Sequence, residues 1–158
     1  MDVSLALNIA TTIAVVGGVI FGAWQIQVAA KARTTQVSLQ LMEMLYSREL
    51  IDGMTALHNV REGLGWDDLR AKLGDRWTSV FTLMNTLDGL GILVGRKEVP
   101  ADIADDFFHH AIVTTWIKTR AAIYDRRRNE PGRETTFRFL ESLAASQNPN
   151  MPRGDGIT

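Results

Sequence analysis

Residues 5–24 read LALNIATTIAVVGGVIFGAW, twenty positions without a charged side chain. Asn8, Thr11, Thr12 and the closing Trp24 are the strongly polar or amphipathic members of the run. At about 1.5 Å of rise per residue a helix of this length spans about 30 Å, the thickness of a bilayer's hydrocarbon core. A helix satisfies its own backbone groups in lipid, so the stretch predicts a membrane-spanning helix. The sequence on its C-terminal side predicts a small, mostly helical domain held at the membrane.

A cleaved signal peptide fits less well. Such a peptide has a basic leading segment and an apolar core of roughly 7–15 residues. Here Met1-Asp2-Val3-Ser4 carries an acid and no base, and the apolar core is longer. The cations Lys31 and Arg33 come after the run and Trp24 marks its edge, so these three are the expected interface anchors. Basic residues on that side predict a cytoplasmic C-terminal domain and an N-terminus outside, in a single-pass protein of the cytoplasmic (inner) membrane. Ala6, Ala10, Ala14, Gly18 and Gly22 recur every four residues and form one ridge of small side chains. Such a ridge lets helix backbones approach closely, which in lipid favours packing against a subunit's helix or a copy of the same one.

The remaining composition excludes several classes. Lys plus Arg total 17 and Asp plus Glu 18 in 158 residues, and Asp2 is the only charge before Lys31. The domain is therefore nearly neutral, which argues against nucleic-acid binding by bulk charge. With no cysteine, disulfides, thiol catalysis and zinc–thiolate sites are all removed. There is no glycine-rich phosphate loop, no zincin motif and no nucleophile elbow, so the expectation is a non-enzyme without cofactor or small-molecule substrate.

Downstream the apolar spacing predicts an all-α domain of about five helices, with boundaries at 1–30 for the transmembrane anchor, 31–146 for the cytoplasmic helical domain and 147–158 for a disordered tail. The anchor helix is expected to run on through an amphipathic section carrying Val37, Leu41 and Met44. Ser47 is the expected N-cap of a helix from Arg48 to Arg61. Trp66–Leu73 reads as a short helix closed by Gly74. Asp75 is expected to cap a central helix from Arg76 to about Val94, with Gly91 on its inner face marking a close crossing. Asp88, beside that stripe, is expected to serve a backbone N–H or an arginine. Pro100 opens a helix to about Arg127, and a last helix is expected over Glu134 to Ala145, with Phe137, Leu140 and Leu143 inward.

Two polar groups stand out. In Asp105-Asp106-Phe107-Phe108-His109-His110, Asp106 faces His110 and Asp105 faces His109 at i,i+4, a spacing that can hold two metal ligands. Adjacent histidines point about 100° apart, no third ligand is fixed, and such pairs also occur as ordinary surface neighbours. Asp106 and His110 are the candidate metal ligands, and a metal-dependent enzyme built on them is the least favoured reading. The second group is Arg126-Arg127-Arg128, either a contact for lipid headgroups or an acidic partner, or a solvated helix end favoured by the helix dipole.

Trp24-Gln25-Ile26-Gln27, Tyr46-Ser47-Arg48-Glu49-Leu50, Met84-Asn85-Thr86-Leu87-Asp88-Gly89-Leu90-Gly91-Ile92-Leu93-Val94, Val99 to Asp106, Thr115-Trp116 and Phe137-Arg138-Phe139-Leu140-Glu141 together resemble a widespread bacterial family of uncharacterised proteins, a domain of unknown function. The resemblance covers about Trp24 to Ala145. It implies one N-terminal membrane helix followed by a compact cytoplasmic helical domain. Asp88 stands where the family pattern has a longer acid, and the His109-His110 pair is not a family feature. The resemblance brings no activity. The function expected is an accessory or scaffold subunit docking on a larger membrane complex, with a self-associating membrane sensor as the alternative.

Overall fold

In the computed structural model, the residues described are 15–26, 28–29, 36, 39–44 and 46–148. The chain separates into two compact units, Met1–Gln40 and Leu41–Thr158. No strand occurs among the described residues.

In the first unit, α1 covers Val15–Ile26. Its large apolar side chains project into open space: Val15 is 60% exposed and Ile26 72%. Ala6, Ala10, Ala14, Lys31 and Arg33, and the expected tail beyond Asn148, lie outside the described residues.

The second unit begins with helical residues 41–44, which bury Leu41, and a break at Tyr46 and Ser47. Five helices follow: α2 (Arg48–His58), α3 (Trp66–Leu73), α4 (Trp77–Gly95), α5 (Ala101–Asn129) and α6 (Arg138–Gln147), with a 3-10 turn at Gly74–Arg76 between α3 and α4. The expected all-α fold is the one observed. The short helix α3 has the predicted bounds, and Gly74 leaves it at φ +53°, a conformation that favours glycine. Ser47 occupies the N-cap position of α2 without a side-chain bond, and Asp75 lies inside the 3-10 turn instead of capping α4.

The core sits on α4. Val80, Leu83, Met84, Leu87 and Leu90 are buried there, with α2 and α6 packed against the helix. Two glycines set those approaches. A Cβ on Gly53 of α2 would lie 2.7 Å from the Ser79 carbonyl oxygen, and one on Gly91 of α4 would lie 2.6 Å from that of Phe139 in α6. Helix α5 is 29 residues long, about 43 Å at helical rise. It buries Ala104, Phe108, Ala111, Ile112, Trp116 and Ile123 along one stripe.

Trp66–Gly95 is a helical run of 30 residues with a mean hydropathy of 1.2 in its most apolar window, long and apolar enough to cross a membrane. Val80, Leu83, Met84, Leu87 and Leu90 of this run build the domain core, and its N-terminal part carries Asp67, Asp68, Arg70, Lys72, Asp75 and Arg76. Burial of this inner stripe accounts for part of its apolar composition.

The last helix departs from expectation. It starts at Arg138 and not at Glu134. Phe137 sits in the left-handed region, with φ 56° and ψ 31°, a conformation costing a non-glycine residue about 1 kcal/mol. Residues 130–137 form turns, in which Gly132 N–H donates to Glu134 Oε1 at 3.0 Å and Thr136 N–H to the Arg133 carbonyl at 3.0 Å. Apolar spacing reports the buried face of α6 correctly, but it does not register where the backbone changes hand.

Candidate functional site

Three places were indicated by the sequence, and the structure brings together parts of each. On α1, adding a Cβ to Gly18 or Gly22 meets no atom within 4 Å, so this part of the ridge is open. Trp24 is 59% exposed and its ring lies 5.8 Å from that of Phe21. The described part of α1 thus presents an apolar surface with an aromatic at one end and room for close approach at the glycines.

Asp105 and His109 pair at 2.8 Å on the exposed side of α5. Asp106 and His110 are also exposed. Among the described residues no group of three or more His, Asp or Glu side chains converges as a metal site would require.

The arginines at the end of α5 divide. Arg126 keeps 15% of its side chain exposed, donates from Nε to Glu130 Oε2 at 2.9 Å, and holds its guanidinium carbon 4.1 Å from the Trp66 ring centroid. Arg127 keeps 13%; it donates from Nε to the Thr136 carbonyl at 2.9 Å and from Nη1 to Glu141 Oε2 at 2.7 Å. Tyr124 Oη–H donates to the other carboxylate oxygen of Glu141, Oε1, at 2.5 Å. Arg128 is exposed. A cation whose donors are already matched to a carbonyl and a carboxylate has fewer left for a partner, so Arg128 is the member of the triplet with its charge in solvent.

The same turn of α5 holds α3. Asp125 Oδ2 accepts from Trp66 N–H at 2.8 Å, and its Oδ1 accepts from Asn129 at 2.7 Å. A Cβ on Gly65 would stand 3.0 Å from Asp125 Oδ2, so the glycine makes room for the carboxylate. A second carboxylate does the same for α6. Asp88 Oδ1 accepts from Phe139 N–H at 2.9 Å and Leu140 N–H at 2.8 Å. Both carboxylates supply acceptors to otherwise unpaired first-turn N–H groups and sit at the positive end of the helix dipole. Asp88 was legible as an N–H partner. For Asp125, Glu141 and Tyr124 the sequence carries no signal of these roles beyond acids interspersed with bases around Arg126.

Between these clasps lies a ring cluster. Trp66 stands edge-on to Trp77 at 5.0 Å, and Phe81 to Phe137 at 6.0 Å, with Trp66 and Phe137 6.4 Å apart. Outside it, an open depression of 630 Å³ runs past Asp67, Arg70, Asp75 and Trp77. It joins opposite charges on an exposed rim and contains no nucleophile–base pair.

Fold and sites together define an all-helical domain preceded by an exposed apolar helix. The chain belongs to the family described as Domain of unknown function (DUF4760), whose model matches residues 12–147. The match runs from within the apolar stretch to the last residue of α6. No curated protein and no solved structure matches the chain.

Proposed function

We propose that the chain is a non-catalytic accessory or scaffold subunit, anchored in the cytoplasmic membrane by its N-terminal helix and docked on a larger membrane assembly. One observation carries this reading: α1 leaves its large apolar residues exposed, whereas α2 to α6, Ile51 apart, bury most of theirs against one another. Soluble proteins seldom leave contiguous apolar surface uncovered, and lipid with a neighbouring helix is the cover that fits a charge-free helix. The cations Lys31 and Arg33 favour a cytoplasmic domain with the N-terminus outside.

Gly18→Leu with Gly22→Leu tests the docking. Loss of co-purifying membrane subunits in mild detergent, with the chain still in the membrane fraction, supports the reading. Unchanged co-purification sinks it. The open glycine face suits a second copy equally well, so the alternative is a self-associating membrane sensor. Recovery of this chain alone as a defined oligomer favours that alternative.

A further inference from the structure

We propose that α3 and α6 open and close as one unit, coupled through the turn Tyr124–Arg127 of α5 and the ring cluster beside it. The first residues of the two helices, Trp66 and Arg138, are 72 positions apart in the sequence, yet four consecutive residues of α5 hold both. Asp125 and Arg126 grip α3 through the Trp66 N–H and the Trp66 ring. Tyr124 and Arg127 grip α6 and its leading turn through Glu141 and the Thr136 carbonyl. Trp66, the first residue of α3, also lies 6.4 Å from Phe137, the residue that leads into α6.

Neither helix is long enough to persist alone, at 8 and 10 residues. Releasing α6 withdraws Phe137 from the Trp66 ring and frees Arg127; releasing α3 withdraws Trp66 from Phe137 and from Arg126. Each departure therefore removes contacts from the other, while α2, α4 and the first half of α5 keep their own core. The opened state uncovers the Gly91 crossing of α4, against which α6 rests.

Amide hydrogen exchange on the full chain in lipid nanodiscs tests this. Asp88→Ala touches only the start of α6, and it is expected to speed exchange of amides in both α6 and α3 by roughly tenfold, the scale of a lost helix cap. Asp125→Ala, which removes the acceptor of the Trp66 N–H at the start of α3 and of Asn129 in α5 itself, is expected to speed exchange in both α3 and α6 to the same degree, with α2 unaffected in both cases. Acceleration confined to the helix whose cap was removed, or spread equally over α2, overturns the proposal. Should a variant fail to fold, the wild type is read at rising low urea concentrations. Amides of α3 and α6 merging on one urea dependence, below that of α2, support the coupled unit; separate dependences overturn it.

Discussion

At Asp88 one carboxylate oxygen serves two backbone N–H groups, and three residues further on Gly91 lets the Phe139 carbonyl come within contact of α4. The two residues are halves of one joint. Asp88→Ala leaves two partly buried donors unpaired, an expected cost of about 2 kcal/mol by chemical denaturation. Gly91→Ala forces a Cβ against a backbone carbonyl at 2.6 Å, and backbone cannot swing aside as a side-chain tip can. The expected loss is about 2 kcal/mol or more, and a variant as stable as the parent would show that the crossing is looser than described. Glu134 makes a smaller, pH-dependent contribution. Its own backbone N–H and then that of Gly132 hold its carboxyl below the ordinary value of 4.5. Because the folded value is the lower one, the contribution is complete above the ordinary value and is lost as pH falls through the folded one. The Gly132 amide shift followed by NMR should titrate below the ordinary glutamate value of 4.5.

At the scale of the element, the end of α5 turns three neighbouring arginines into three different residues. Arg127→Ala removes the partner of a largely buried carboxylate and of the Thr136 carbonyl, with an expected destabilisation of about 2 kcal/mol. Arg126→Ala removes an ion pair and the stacking on Trp66, for about 1 kcal/mol. Arg128→Ala should fall within about 0.5 kcal/mol of the parent; thermal unfolding of the three variants orders them. A partner that recognises the triplet by charge meets Arg128 first. This ranking was not legible in the sequence, because Glu141 and Thr136, which decide it, sit on the far side of a turn. The same limit applies to α6. Its inward residues follow from spacing, but its first residue depends on Phe137 changing hand and on a cap supplied from Asp88, which spacing does not encode. By contrast α3 was legible to the residue, since Gly65 and Gly74 bracket it and Gly74 itself takes the left-handed turn.

At the scale of the molecule, the described part of α1 exposes its large apolar side chains, whereas the described residues of the unit Leu41–Thr158 bury most of theirs. Residues 41–158 expressed alone are expected to stay in aqueous buffer and unfold cooperatively, because their large apolar side chains are mostly buried. The full chain is expected to partition into detergent. Aggregation of the fragment without detergent would show that the domain has its own apolar face to cover. All-α architecture was readable from period and length alone. The proposed anchor rests on chemistry: Ala6, Ala10, Ala14, Lys31 and Arg33 lie outside the described residues, and the structure shows of the rest that Gly18 and Gly22 are open and Trp24 exposed.

None of the five helices of the second unit is closed by the side chain at its own N-cap position; α3 and α6 borrow carboxylates 59 and 51 residues away for their first turns. During synthesis this sets an order. While α3 leaves the ribosome, the aspartate that will seat it has not yet been made, so its first turn waits, uncapped, until the latter half of α5 emerges. Asp88 is already in place when α6 arrives, and that helix can dock at once. Both clasps therefore close late and in chain order, that of α3 when Asp125 emerges and that of α6 when Phe139 and Leu140 follow, and a nascent chain halted before Asp125 holds α2 and α4 with α3 still unsecured.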